Sequence, residues 1–160
     1  MVNNPEQIEM GDMAGMLGFL LRLAQTDAYE RLFDGEALTD ASLTELSILH
    51  LVQLNPGIRQ GVLAKALRIK RAHMTKIVQA LDERDLCRFT IPAEDRRAVQ
   101  LWLTDAGQAM ISTAWPSVCA SESRVATGLT APEAVTLKRL LRKFIGMPPL
   151  LQPLTEGSRR

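Results

Sequence analysis

The sequence predicts a mainly α-helical fold with a small β-wing: a winged helix-turn-helix flanked by helices from both ends of the chain. Three observations predict it. Two short amphipathic segments, 60–67 and 71–84, stand close together across a turn at Arg68-Ile69. An apolar strand signal from Leu86 to Ile91 follows, then the charged tip Glu94-Asp95-Arg96-Arg97, then the alternating stretch Val99 to Leu103. Thr104-Asp105-Ala106-Gly107 reads as an N-cap and the first turn of a new helix.

The elements follow in order. A helix is expected from about Met10 to Phe33, because Met13, Met16, Leu17, Leu20, Leu21 and Ala24 recur at helical spacing. Asp34 to Thr39 reads as a turn and loop. A second helix is expected over 42–54, with Leu43, Leu46, Leu49 and Val52 inward, stopped by Asn55-Pro56-Gly57. In the short helix 60–67 the expected inward residues are Val62, Leu63, Ala66 and Leu67. In the next helix they are Met74, Ile77, Val78 and Leu81. A long helix runs from Thr104 to about Arg124, and Pro116 inside it should kink it. Thr130-Ala131-Pro132-Glu133 is a capping box opening a last amphipathic helix that ends at Gly146. The proline-bearing tail 147–160 cannot be a helix and should be extended or partly disordered.

At 160 residues the chain is expected to be a single domain with a substantial core. Within it, 10–38 and 104–146 would supply dimerisation helices and 42–103 the winged lobe. No apolar run is long enough to span a bilayer, since Arg22 interrupts the greasiest segment, 17–23. The acidic start, with Glu6 and Glu9, does not resemble a secretory leader, and a cytoplasmic protein is expected. Cys87 and Cys119 give no disulfide framework, and two distant cysteines with two histidines give no zinc spacing. No nucleophile–base pair, phosphate loop or paired carboxylate motif is present, so neither an enzyme nor a cofactor is expected.

The net charge of +1 hides a strong asymmetry. Residues 1–58 carry two basic against nine acidic side chains, a balance of −7. Residues 59–100 carry ten against five, a balance of +5. No acid occurs from Leu46 to Leu81, while Arg59, Lys65, Arg68, Lys70, Arg71 and Lys76 all do. A basic lobe on a near-neutral protein points to a local polyanion site; the plainer reading is a solvated basic face.

With these residues in place, the chain resembles the MarR family of bacterial transcription regulators over about residues 15–145. The resemblance rests on Leu17-Gly18-Phe19-Leu20-Leu21-Arg22, Asn55-Pro56-Gly57-Ile58-Arg59-Gln60, Leu63-Ala64, Asp95-Arg96-Arg97 and Leu103-Thr104-Asp105-Ala106-Gly107. Three positions depart from the family pattern. Arg59 replaces a Ser or Thr N-cap, Asp85 replaces the Gly after the recognition helix, and Phe89 stands where an Arg is usual.

The resemblance implies a homodimeric repressor on a pseudo-palindromic operator of double-stranded DNA. It places the recognition helix in the major groove and a wing arginine in the minor groove. Candidate DNA contacts are Gln60, Arg71, His73, Thr75, Lys76, Arg96 and Arg97, with Asp95 holding the guanidinium of Arg97. It also implies release by a small effector, an aromatic or phenolic carboxylate or its coenzyme A thioester. Phe19, Arg22 and His50 are the candidate ligand residues. Arg22 on an apolar helix is equally read as an internal ion pair or a snorkelling side chain, and His50 as a satisfied, half-buried histidine. Two alternatives stay open: a redox switch at Cys87 or Cys119, and a winged helix that binds protein. The family's peroxide sensors use a cysteine near the first helix, which this chain lacks.

Overall fold

The structure, a computed structural model, describes residues 8–33, 43–93, 95 and 98–149. After a 3-10 turn at Gly11–Gly15 come α1 (Leu17–Phe33), α2 (Leu43–Leu54), β1 (Ile58–Arg59), α3 (Gln60–Ala66) and α4 (Arg71–Glu83). Then follow β2 (Cys87–Thr90), β3 (Gln100–Leu103), α5 (Asp105–Val125) and α6 (Ala131–Phe144). The chain divides into two compact units, 29–122 and 1–28 with 123–160. The loop expected at Asp34–Thr39, the wing residues Glu94, Arg96 and Arg97, and the tail from 150 onward lie outside the described residues.

The unit 29–122 holds the core. On α2, Leu46, Ile48, Leu49 and Val52 are buried, while Leu43 is only half-buried. Ile48 adds a second buried face to the expected stripe. Burial of each such side chain contributes about 1.5–3 kcal/mol. Asn55-Pro56-Gly57 ends the helix as expected, with the Asn55 side chain donating back to the Leu51 carbonyl. Gly57 is required twice over: its φ is +77°, and a Cβ would stand 2.8 Å from Cζ2 of Trp102.

The sheet has the order β1-β3-β2, antiparallel throughout. Strand β1 is too short to show a period of two in the sequence and was not expected there. It pairs Ile58 with Leu101 and Arg59 with Gln100. The expected strand 86–91 shortens to β2, which pairs Cys87 with Leu103 and Thr90 with Gln100. Leu101 is wholly buried at the centre of this sheet.

In α3 the inward residues are Leu63 and Ala64, with Leu67 half-buried beyond its end, while Val62 and Ala66 are exposed. The expected pair was wrong for a geometric reason. Residues 63, 64 and 67 share one face of a helix, and 62 and 66 lie together on the side away from it. The helix-turn-helix link is tight: Ile69 N–H reaches the Ala64 carbonyl at 2.9 Å, and Arg68 takes φ +56°. On α4, Met74, Val78 and Leu81 are buried and Ile77 half-buried, as the period requires.

Asp85 adopts φ +53° after α4, the geometry that glycine would take without strain. The left-handed conformation costs a residue with a Cβ roughly 1–2 kcal/mol. Its carboxylate accepts from Arg88 Nη2 at 3.0 Å, and its carbonyl accepts from the Thr104 hydroxyl. Thr104 caps α5 as predicted, its Oγ1 accepting from Gly107 N–H at 3.0 Å. Helix α5 runs on through Pro116, which supplies no N–H to the Ser112 carbonyl.

In the other unit, the helix expected from Met10 is interrupted. Gly11 sits at φ +51°, residues 11–15 form a 3-10 turn, and Met16 is extended before α1 begins. Glycines at 11 and 15 weaken a helix by roughly 1 kcal/mol each, and no buried contact offsets that in the 3-10 turn. Helix α6 opens on the expected capping box, with Glu133 accepting from the N–H and the hydroxyl of Thr130 at 2.7 and 2.6 Å. Those two bonds hold the Glu133 carboxyl below its ordinary range. Gly146, at φ +74°, ends the segment. No α6 side chain is buried, and Val135, Leu137, Leu140 and Phe144 are exposed.

Gly107 gives a stability prediction. A Cβ there would stand 1.9 Å from the Leu86 carbonyl oxygen, a backbone atom that cannot yield without shifting the wing. Gly107→Ala should cost about 3 kcal/mol in urea unfolding. Gly61→Ala, with open space around it inside α3, should be neutral or stabilise by up to about 1 kcal/mol. Equal effects would contradict the close approach.

Candidate nucleic-acid interface

The apolar stripe of α4 faces the core, so the opposite side faces water. Arg71, His73, Thr75 and Lys76 are all exposed there, together with Ala72 and Gln79. Lys65, Arg68 and Lys70, from α3 and the turn, are exposed as well. Neither Arg59 before α3 nor Lys70 before α4 caps its helix with a side chain. The missing cap on α3 has a substitute: Gln60 N–H donates to the Val99 carbonyl at 2.8 Å.

Two predicted contacts are joined. Gln60 Nε2 donates to Thr75 Oγ1 at 2.9 Å, and Thr75 Oγ1 donates to the Arg71 carbonyl at 3.0 Å. The sequence treated Gln60 and Thr75 as separate groups, since only the turn angle brings their side chains together.

Arg96 and Arg97 lie outside the described residues. Asp95, expected to steady Arg97, has its carboxylate 3.8 Å from Arg59 Nη1, and its carbonyl accepts from Ala98 N–H at 2.9 Å. Arg59 is thus tied to the wing, a role its position before α3 did not suggest. At the far end of α4, Arg84 bonds Glu45 of α2 at 2.9 Å. Phe89 is exposed on β2, and Arg88 beside it is engaged by Asp85.

The candidate ligand residues fall in different units. Arg22 is exposed, its guanidinium carbon 5.4 Å from the centre of the Phe19 ring. No carboxylate pairs with it among the described residues. This matches the snorkelling reading of the side chain, with a cation–π contact added. His50 stacks on Trp115, with ring centroids 3.8 Å apart and planes 12° from parallel. Its Nδ1 is buried with no hydrogen-bond partner among the described residues. Trp115 was not singled out in the sequence, because a partner so distant along the chain leaves no local signal.

Cys87 is wholly buried, and desolvation pushes its thiol from 9.0 to about 11, with Asp82 adding to the rise and a backbone bond from Trp102 opposing it. A redox switch needs thiolate, which this site disfavours. Cys119 is exposed. Among the described residues no three His, Cys, Asp or Glu side chains gather into a metal site, and no helix is long and apolar enough to cross a membrane.

Comparison with known proteins agrees with this geometry. The MarR family profile matches residues 41–99. The transcriptional repressor NicR of Pseudomonas putida is 33% identical over 141 residues, covering 84% of this chain and 85% of that protein. A protein of Thauera aromatica named for regulation of its hcr operon is 30% identical over 135 residues, covering 84% and 81%. Among solved structures, the repressor CouR bound to a 23-mer DNA duplex superposes with a TM-score of 0.78 at 30% identity, covering 87% of this chain and 99% of that one. CouR bound to p-coumaroyl-CoA superposes with a TM-score of 0.77 at 28% identity, covering 87% and 98%.

The raised thiol pKa fixes a sign. A folded value above the unfolded one means that the contribution of the neutral thiol is intact below about pH 9 and is lost as pH rises through about 11. Stability should therefore fall across that window in the native protein, and Cys87→Ala should lack this component when the two curves are compared. Iodoacetamide at neutral pH should label Cys87 only after unfolding. Rapid labelling of the folded protein at Cys87 would restore a redox role for that residue.

Proposed function

The chain belongs to the MarR family of DNA-binding transcription regulators, and on that premise we propose that it is a ligand-released repressor acting as a homodimer. It is a regulator rather than an enzyme. The observation that carries the reading is the outer side of α4, where Arg71, His73 and Lys76 stand exposed in a stretch without acids. This side enters the major groove, where Arg71 and Lys76 suit guanine O6 and N7 or phosphate oxygens. Arg97 reaches the flanking minor groove, with Arg96 sharing that role or a phosphate.

The uncovered apolar residues Leu17, Leu20 and Leu23 of α1 and Val135, Leu137 and Leu140 of α6 support pairing with a second copy. Two copies of α4 then read half-sites about one turn of DNA apart, roughly 34 Å. The protein works in the cytoplasm, beside the chromosome.

The effector is an aromatic carboxylate or its coenzyme A thioester, anchored by Arg22 and Phe19. The exposed guanidinium without a carboxylate partner among the described residues supports this, as does the p-coumaroyl-CoA carried by CouR. His50, with its orphaned buried Nδ1, is the second candidate. Such a ligand acts only through unequal affinity for the DNA-competent state and another state.

Two measurements test the reading. In gel-shift titrations on selected operator DNA, Arg97→Ala and Lys76→Ala should each weaken binding by about 1–3 kcal/mol. Lys76→Ala should also relax preference at particular base pairs. Unchanged affinity would remove the residue from the interface. For the effector, Arg22→Ala should bind operator normally yet resist release by the best compound found among aromatic acids and their thioesters. Full release from that variant would rule out Arg22 as the anchor.

A further inference from the structure

We propose that Gln60 and Thr75 form one positioning unit that locks α4 to the wing, instead of making two independent DNA contacts. The inference rests on α4 being the reading helix.

The donor inventory of the hydroxyl carries the argument. A threonine hydroxyl has one hydrogen, and Thr75 gives it to the Arg71 carbonyl at 3.0 Å. Gln60 Nε2 fills an acceptor position on the same oxygen at 2.9 Å. Thr75 therefore has no proton left for a phosphate oxygen while this chain of bonds is intact. Its hydroxyl serves the protein.

Gln60 is also the residue where three elements meet. Its backbone N–H is held by the Val99 carbonyl, immediately before β3, at 2.8 Å. Its neighbour Arg59 pairs with Gln100 across the sheet and lies 3.8 Å from Asp95 in the wing. Its side chain reaches the first turns of α4 through Thr75. A continuous path thus runs from the wing through α3 to the exposed side of α4. Leu63, Ala64 and Met74 fix the two helices from the buried side, and the Gln60–Thr75 bond resists rocking on the exposed side. The bond ties the start of α3 to the second turn of α4, and neither helix has a side-chain cap.

Rocking of α4 would spoil base contacts, which need angular precision, far more than backbone contacts, which follow charge. The test uses operator DNA selected from a random duplex library by the wild-type protein, with random duplex as control. Gln60→Met and Thr75→Val should each lower operator affinity about three- to tenfold. The double variant should be no worse than either single one, and Thr75→Ser should bind like wild type. Affinity for random duplex, its salt slope and the melting temperature should all match wild type.

Additive losses would overturn the proposal, because they would make the two side chains independent contacts. An equal loss of affinity for random duplex with Gln60→Met would overturn it too, by assigning Gln60 to a phosphate. Lys76→Ala, run in parallel, separates the two levels. If it weakens operator binding while the Gln60 and Thr75 variants do not, the positioning unit fails and α4 remains the reader. If it also binds normally, both fail.

Discussion

The hydroxyl of Thr104 joins the parts on which the reading lobe depends. It donates to the Asp85 carbonyl at the end of α4 and accepts from Gly107 N–H at the start of α5. The Thr104 N–H reaches the Leu86 carbonyl at 3.3 Å, and Gly107 lies so close to that oxygen that no side chain fits. One residue thus satisfies a helix N-terminus and a helix C-terminus whose backbone groups would otherwise be orphaned. The left-handed strain at Asp85 persists because this junction, with Arg88 on its carboxylate, holds the backbone in place.

From that junction the lobe is assembled in two directions. Upstream, α4 is packed by Met74, Val78 and Leu81, and Arg84 ties its end to Glu45 of α2. Downstream, β2 and β3 carry the wing away from the core, and β1 closes the sheet beside Gly57 and Trp102. Helix α3 contributes little apolar area, since Leu63 and Ala64 are its buried residues. With so small a buried contact, the polar ties on the surface, beside the exposed basic residues of α4, also bear on its angle.

How far the sequence reveals this follows from the range of each interaction. The stripes of α2 and α4, the Thr104 cap and the capping box at Thr130 are local, and all were legible. Strand β1 was not, because two residues carry no period. The start of α1 was misplaced because apolar spacing outweighed Gly11 and Gly15, whose conformational freedom decides the segment. Contacts across the fold left no signal: the stack of His50 on Trp115, the pairing of Gln60 with Thr75, and the engagement of Arg59 by Asp95. These depend on turn angles that only the folded chain sets. The basic stretch without acids, by contrast, was visible as composition and lies where the exposed side of α4 is.

The central claim is that two copies of this chain read duplex DNA through α4 and the wing. In vitro selection from a random duplex library with the full-length protein tests it most directly. The expected result is enrichment of an inverted repeat whose half-sites are centred about 10 base pairs apart. Its affinity should fall steeply with salt, as the release of several counterions requires. No enrichment, or a single unrepeated motif bound with little dependence on salt, would contradict it.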